Sequence, residues 1–258
     1  MPRSAEQANY RRSVLEQMLR GGQRIRNAEM ARRFGVAEMT IRRDLEALAA
    51  AGVAVRNYGG AQALGRVTFE FAFSDRNRLN SPAKRRIGAA AARRISPGQI
   101  VLIDTGTTTL EIARALSGRR IPCTIVTSSL VIAGELWSRP GVELVLLGGR
   151  VRNGSPDLVG EGTLADIRLV KADLAFLGVD AMDEGGCFAA DADVAQVAGV
   201  MLRQARRVIV VADASKLGRR EPARYARWHQ VDELITDRRA QPSMLAAIQA
   251  AGVKVTVV

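Results

Sequence analysis

The chain has 258 residues, of which 47% are hydrophobic, and a formal net charge of +12. This length is comfortable for two domains, and the apolar content is sufficient for a buried core. No apolar run is long enough to span a membrane, and no basic-then-apolar leader opens the sequence, so we expect a cytoplasmic protein without a membrane partner.

Few residues in the sequence offer metal or redox chemistry. Cys123 and Cys187 lie in separate apolar segments without metal-ligand spacing, so we interpret them as reduced core residues. The single histidine, His229, is more typical of a structural residue than of a metal ligand, and no Ser-His-Asp set can be assembled. We therefore expect no catalytic residue, no metal and no cofactor.

The amino-terminal fifth is the most densely basic part of the chain. Residues 1–58 hold eleven arginines, no lysine and six acidic residues. Arginine is suited to bidentate contact with guanine and phosphate, so this composition favours a polyanionic partner. A genome rich in GC, which favours arginine codons, would produce the same bias.

Two helices are predicted before residue 36. Ser4 and Gln7 fit a capping box, which predicts a helix with Ser4 as N-cap that runs to Gly21. Asn27 is predicted to cap a short second helix that ends at Gly35. The residues expected to be buried in these two helices are Tyr10, Val14, Leu15, Met18, Leu19, Ala28, Ala31 and Phe34.

The stretch 36–48 predicts a third helix, with one apolar face and one polar face. Ile41, Leu45 and Leu48 recur at spacings of four and three, whereas Arg43 points nearly opposite to them. Met39 and Ala47 flank Arg43, Thr40 and Arg42 lie at the edges, and Gly52 is a stop signal. A tight turn containing Gly35 before this helix predicts a helix-turn-helix whose second helix enters the major groove. An ordinary helix pair with a solvated basic face is the alternative.

A wing is predicted to follow this helix. Val53 and Val55 alternate with Ala54 and Arg56, which is the period of a half-buried strand. We expect Met39, Thr40 and Arg43 to reach base edges. The residues expected to contact the DNA backbone are Arg42, Arg56 and Tyr58.

An ordered set within residues 10–61 resembles the amino-terminal signature of the DeoR family of bacterial repressors. The matching residues are Thr40-Ile41-Arg42-Arg43-Asp44-Leu45, Leu48, Gly52, Arg56 and Gly59-Gly60-Ala61. The family usually has serine where Ala37 stands, and the loss of such a cap costs about 1 kcal/mol. Glu38 can compensate by favouring the positive end of the helix. The resemblance implies a winged helix-turn-helix DNA-binding domain, which we place at residues 1–60.

Residues 61–83 are predicted to be a linker. Val67, Phe69, Phe71 and Phe73 alternate with smaller or polar residues, so one short strand is expected there. Pro82 marks the boundary of a second domain, which we place at residues 84–258.

From residue 84 onward, strand and helix patterns alternate, which predicts an α/β domain. The predicted strands are 100–103, 124–126, 142–147, 174–177, 208–212, 234–235 and 253–258. The predicted helices include 83–95, two that end at Leu116 and Trp137, and 243–251.

Several of these strands end in glycine, hydroxyl or charged residues. In an open α/β sheet, the carboxyl ends of the strands line one crevice where ligands bind. Backbone N–H groups at a helix start attract anions, and a lysine adds a positive charge suited to phosphate. We therefore predict a site for a small anionic ligand such as a sugar phosphate, although helix capping explains any single hydroxyl equally well. The candidate residues are Asp104, Gly106, Thr107, Thr108, Thr127, Ser128, Ser129, Gly148, Gly149 and Lys216.

The second domain also resembles the DeoR family, through its sensor motifs. The matching residues are Asp104, Gly106, Thr107, Thr108, Thr127, Ser129, Gly148-Gly149, Gly160, Asp173, Gly178, Asp213, Ser215 and Lys216. The resemblance implies a fold similar to ribose-5-phosphate isomerase and acyl-CoA transferases, and a non-catalytic sensor of a phosphorylated sugar. Three positions depart from the family: Ser128 stands where asparagine is usual, and Val194 and Ala198 stand where glutamate and lysine are usual.

These observations predict a DNA-binding transcriptional regulator that is not an enzyme. We expect a repressor of a carbohydrate or related catabolic operon, with operator DNA and a small phosphorylated metabolite as partners. Because one recognition helix reads few bases, a homodimer or higher homo-oligomer is expected. One alternative is a sugar-phosphate isomerase or CoA-transferase-like enzyme with Asp104, Asp180 or Asp213 as its base. Another is a nonspecific nucleic-acid binder.

Overall fold

The computed structural model of the protein describes residues 2–20, 25–51, 54–57, 60–63, 73, 76–152 and 155–258. The chain divides into an amino-terminal unit, residues 1–76 with 153–155, and a carboxyl-terminal unit, residues 77–152 with 156–258. No helix among the described residues has the length and apolar character that crossing a membrane requires.

The described part of the amino-terminal unit contains helices at 2–20, 27–34 and 38–50 and a small antiparallel sheet, whose strand order is β1-β3-β2. Its core contains Leu15, Leu19, Ile41, Leu45 and Leu48. This arrangement confirms the predicted winged helix-turn-helix. The elements are α1 (Pro2–Arg20), β1 (Ile25–Arg26), α2 (Asn27–Phe34), α3 (Glu38–Ala50), β2 (Ala54–Asn57) and β3 (Gly60–Ala63).

The predicted first residues of two helices differ from the observed ones by a few positions. α1 begins at Pro2, so Ser4 lies inside the helix and does not cap it. The N-cap of α2 is Arg26 rather than Asn27, because Arg26 is held in the extended conformation by its pairing with Gly60 of β3. The turn that follows α2 is as predicted: Gly35 has φ 63°, and the Val36 N–H donates to the Ala31 carbonyl at 3.0 Å.

Two residues predicted to be buried are exposed. Tyr10 is 69% exposed because, at 100° per residue, it lies nearly opposite the buried Leu15 and Leu19 on α1. Ala28 is also exposed, and Met30 packs in the core beside Ala31 instead. Gly52, Val53 and residues 67–72 of the predicted strand lie outside the described residues. Phe73, at the end of that predicted strand, has a helical backbone, so the strand prediction is wrong at this residue.

The carboxyl-terminal unit is built on a seven-stranded parallel sheet of order β15-β14-β12-β9-β4-β5-β6. Helices cover it, as the alternating pattern predicted, and the predicted α/β class is confirmed. Its strands are β4 (Ile100–Ile103), β5 (Cys123–Thr127), β6 (Val142–Leu146), β9 (Ala172–Leu177), β12 (Ala205–Val211), β14 (Glu233–Thr236) and β15 (Lys254–Val257). Its helices are α4 (Ser81–Ala92), α5 (Thr107–Ser117), α6 (Leu130–Leu136), α7 (Glu161–Leu169), α8 (Ala192–Gln204) and α9 (Pro242–Ala250).

Five short strands of the carboxyl-terminal unit were not predicted. β7 pairs with β8, and β10, β11 and β13 form a separate antiparallel sheet. Gly186 of β11 has φ 134°, and a Cβ there would lie 2.0 Å from the Ala226 carbonyl oxygen, so the sheet needs glycine at this position. The strands are β7 (Arg150–Val151), β8 (Leu158–Val159), β10 (Ala181–Asp183), β11 (Gly186–Ala189) and β13 (Ala223–Ala226).

Helices α4 and α5 pack closely on one another. A Cβ at Gly88 of α4 would lie 2.5 Å from the backbone of Glu111 on α5, so only glycine permits this approach. Cys123 and Cys187 are buried, and burial raises the pKa of both thiols. Their environment is that of structural core residues.

Candidate functional site

The outer face of α3 is the candidate DNA-binding surface. Arg42 and Arg43 are exposed, Met39 is 54% exposed, and Thr40 is half-buried. The opposite face buries the apolar residues that were predicted to form the stripe. Arg56 lies on β2, but its side chain and the whole of Tyr58 lie outside the described part of the structure. The proposed base and backbone contacts remain predictions.

A buried ion pair holds α3 against α1. Arg11 Nε lies 2.5 Å from Asp44 Oδ2, and Arg12 Nε lies 3.4 Å from Asp44 Oδ1. Asp44 and Arg11 are both buried. Asp44 is a polar residue on the buried side of α3, beside Ile41 and Leu45. An acidic residue at a position that the helical period places in an apolar stripe indicates a buried ion pair. Two arginines of α1 therefore position α3 through Asp44.

The candidate effector site begins at the carboxyl end of β4, with Asp104. Its Oδ1 accepts from the Thr105 N–H at 2.8 Å, and its Oδ2 accepts from the Gly178 N–H at 3.1 Å. Burial raises the pKa of Asp104 to about 7, against the lowering effect of these two hydrogen bonds. The charges of Asp157 and Asp180 raise the pKa further. Asp104 is thus a buried carboxyl group that exchanges its proton near neutral pH.

Gly178 links Asp104 to a tyrosine that the sequence did not suggest. The Tyr225 hydroxyl donates to the Gly178 carbonyl at 2.5 Å, while the Gly178 N–H binds Asp104. Burial holds the pKa of Tyr225 well above its ordinary value, so the hydroxyl stays a neutral donor. The loop after β9 is therefore fixed from both sides.

The start of α5 carries the positive charge of the site. Lys84 Nζ donates to Thr107 Oγ1 at 2.9 Å, and both side chains are buried. Gly106, with φ 142°, turns the chain into the helix, and Thr109 Oγ1 donates to the Gly106 carbonyl at 3.0 Å. An ammonium group beside the N-terminus of a helix suits an anion. Lys84 was not among the predicted site residues, because only the packing of α4 on α5 brings it to Thr107.

Three hydroxyl residues, Thr127, Ser128 and Ser129, lie at the carboxyl end of β5. Two of them bind the backbone. Thr127 Oγ1 donates to the Ile103 carbonyl at 2.7 Å and accepts from the Ser129 N–H, while Ser129 Oγ caps α6 by accepting from the Ile132 N–H. Both groups therefore hold the backbone. Ser128 is also buried, but its hydroxyl has no hydrogen-bond partner within the described ranges.

The glycine pair after β6 is tied to α7. The Gly148 N–H donates to Asp166 Oδ2 at 2.9 Å, and Thr163 Oγ1 donates to the Gly148 carbonyl at 2.6 Å. Gly149 has φ 133°, and a Cβ there would lie 2.0 Å from Thr163 Oγ1. The hydrogen bonds of Gly148 tie the pair to α7, and the close contact at Gly149 requires glycine there.

Lys216 lies at a different part of the sheet edge. It follows β12, and β9 lies between β12 and β4 in the sheet. Nearby, Asn80 Nδ2 donates to Asp213 Oδ1 at 2.8 Å, and Arg239 links Asn80 to Asp237. Of the predicted residues, those after β4 and β5 lie on adjacent strands, whereas Lys216 belongs with this second cluster.

Of the three positions in the second domain that depart from the family, Val194 and Ala198 lie on α8. Ala198 is buried and Val194 is half-buried, so neither supplies charge. The helix is capped by Asp191, which accepts from the Asp193 and Val194 N–H groups. Among the described residues, no group of three or more histidine, cysteine or acidic side chains has the geometry to hold a metal.

Comparison with known proteins identifies both units. Residues 11–67 match the model of the DeoR-like helix-turn-helix domain, and residues 79–238 match that of the DeoR C terminal sensor domain. The chain belongs to the DeoR family. Two relatives that match most of this chain have names that describe them as regulators. An HTH-type transcriptional regulator from Haloferax volcanii is 35% identical over 86% of this chain and 87% of its own.

The glycerol-3-phosphate regulon repressor of Escherichia coli is 31% identical over 81% of this chain and 82% of its own. Among solved structures, ribose 5 phosphate isomerase A from Neisseria gonorrhoeae matches with a TM-score of 0.41 and 15% identity, over 56% of this chain and 55% of its own.

Proposed function

We propose that this DeoR-family protein is a transcriptional repressor that binds operator DNA through α3 and is controlled by a phosphorylated sugar or similar metabolite. The observation that carries the first half is the exposed face of α3, with Arg42 and Arg43, on a helix anchored by the buried Asp44–Arg11 pair. Rigid positioning of the reading helix is what base recognition requires.

The proposal that a phosphorylated metabolite controls the protein rests on the residues at the start of α5. Lys84 and Thr107 form a buried, positively charged, hydrogen-bonding end of a site, beside the helix N-terminus. A phosphate group fits this end, and the carboxylates of Asp104 and Asp180 can accept from sugar hydroxyls. The named functions of the relatives agree with a regulator rather than an enzyme.

The DNA-binding half is tested with Arg43→Ala. We measure fluorescence anisotropy with DNA from upstream of the protein's own gene and with a scrambled duplex, at two salt concentrations. A bidentate arginine provides about 1–3 kcal/mol of base discrimination, so the variant should lose most of its preference for the natural duplex and keep its salt-dependent nonspecific binding.

The matched control is Arg206→Ala, which removes an exposed arginine of the carboxyl-terminal unit. It should leave the preference unchanged. If Arg43→Ala keeps the full preference, α3 does not read DNA through this face. A panel of sugar phosphates, added to the wild-type complex, then tests the effector: at least one should alter the affinity, by a coupling of about 1–3 kcal/mol.

A further inference from the structure

Two buried polar atoms at the candidate effector site have no hydrogen-bond partner within the described part of the chain. They are Ser128 Oγ and Asp157 Oδ1, and each residue is only 1% exposed. Buried polar atoms without partners are rare and costly in native proteins, because each has lost its hydrogen bonds to water. A bound ligand that donates hydrogen bonds would satisfy both atoms.

The backbone brings the residues that carry these atoms to the same edge of the sheet as Asp104. β4 and β5 pair in register, with Ile103 opposite Thr127, so Asp104 and Ser128 leave the sheet as neighbours. The Leu158 N–H donates to the Ser128 carbonyl at 2.9 Å, and a bridge joins Ser129 to Asp157. The segment that carries Asp157 therefore lies along the end of β5. Asp157 is also close enough for its charge to raise the pKa of Asp104.

This side of the site is rich in carboxylates. Arg152 binds Asp157 Oδ2 at 3.1 Å, but the same guanidinium also meets Asp191 at 3.4 Å. The charge of Asp180 also acts on Asp104. One arginine is thus shared between two carboxylates, while the ammonium group of Lys84 is directed to Thr107 at the start of α5. The site combines a basic end, which suits a phosphate, with an acidic end.

We propose that the effector carries a protonated amino group in addition to its phosphate, and that Asp157 Oδ1 and Ser128 Oγ bind this amino group. The effector would then be an amino sugar phosphate. This inference rests on the proposed function and names the chemistry of the same site.

An ammonium group fits better than a hydroxyl group for two reasons. It donates three hydrogen bonds, enough for Asp157, Ser128 and a third acceptor, whereas a hydroxyl donates one. It also supplies the positive charge that a cluster of carboxylates requires, and hydrogen bonds between ionised partners are about twice as strong as neutral ones.

The experiment uses matched pairs of ligands that differ in one group. Binding to the full chain is measured by calorimetry for glucosamine 6-phosphate against glucose 6-phosphate, and for galactosamine 6-phosphate against galactose 6-phosphate. We expect the amino sugar of at least one pair to bind about tenfold more tightly, or better, than its hydroxyl partner. Equal or weaker binding of both amino sugars, including no binding, would overturn the proposal.

Two variants assign the preference to residues. Asp157→Asn keeps the shape but removes the charge, so it should abolish the preference while the hydroxyl sugar keeps its affinity. Ser128→Ala removes a hydroxyl without a partner, so it should weaken binding of the amino sugar several-fold without lowering Tm. Asp193→Asn is the matched control, because it removes a carboxylate that pairs instead with the exposed Arg150, and it should keep the preference. An amino preference that persists in both Asp157→Asn and Ser128→Ala would contradict this assignment.

A second readout separates failure of this inference from failure of the proposed function. The same four compounds, together with other sugar phosphates, are added to the protein–DNA complex in the anisotropy assay. If neutral sugar phosphates change DNA affinity and amino sugars have no advantage, the repressor proposal stands and the amino-group proposal fails. If no compound changes DNA affinity, both proposals fail.

Discussion

Asp104 links the chemistry of the site to pH. Its carboxyl group is buried, and its pKa is raised to about 7 from the ordinary value of 3.8. The native state therefore holds the proton more tightly than the unfolded state between these values, so the free energy of unfolding falls as pH rises through this range. Each pH unit within the range corresponds to about 1.4 kcal/mol.

We expect Asp104→Asn to remove this pH dependence. The variant loses a backbone hydrogen bond at every pH, but it has no proton to release. The stability of the wild type relative to the variant should therefore fall by about 2 kcal/mol between pH 5 and pH 8. Urea unfolding at the two pH values measures this difference, with Asp193→Asn as a control at an exposed carboxylate. A difference that is the same at both pH values would mean that Asp104 is ionised throughout.

At the scale of elements, the start of α3 is the weak point of the DNA-binding unit. Ala37 occupies the N-cap with φ −65° and ψ 147°, the conformation that a capping serine adopts, but its side chain makes no cap hydrogen bond. Ala37→Ser should therefore stabilise the unit by about 1 kcal/mol, measured by urea or thermal unfolding. Ala47→Ser, at an exposed position inside the same helix, should be neutral or slightly destabilising. Equal effects of the two substitutions would show that capping is not the cause.

The elements differ in how far the sequence could predict them. α3 and the strands of the large sheet were predicted because their apolar residues, such as Ile41, Leu45 and Leu48, follow one period over several turns or form continuous runs. β1 has only two residues, and β3 is Gly60–Ala63, whose composition does not favour a strand. That strand depends on Gly60, where a Cβ would lie 1.8 Å from the Ile25 carbonyl oxygen. Such close approach is a tertiary property.

The residues of the candidate effector site also differ in how far the sequence could predict their positions. Asp104 and Ser128 follow strands directly, and Thr107 begins the helix after β4, so the rule about the carboxyl ends of parallel strands was sufficient to predict that they are neighbours. Lys84 and Asp157 are separated from these strands along the chain, and they reach the site through helix packing and a bridge to Ser129. Their presence at the site depends on tertiary packing, which a local sequence pattern does not reveal.

At the scale of the whole molecule, the positive charge and the small proposed reading surface lead us to predict that two copies bind one operator. A net charge of +12 favours association with any duplex, so affinity alone does not select a site. One helix such as α3 reads only a few base pairs, and each mismatch costs about 1–3 kcal/mol. Selecting one operator in a genome therefore requires at least two linked reading helices, and we predict an operator with two half-sites about one helical turn apart.

This spacing can be tested on the DNA rather than on the protein. Inserting five base pairs between the half-sites turns one of them to the opposite face of the duplex, so two α3 helices of one dimer can no longer reach both. The insertion should weaken binding at least about tenfold, as much as destroying one half-site by substitution. Anisotropy titrations on the natural, inserted and half-site duplexes give the three affinities. If the inserted duplex binds as tightly as the natural one, each copy binds independently, and an effector would then have to act within a single chain.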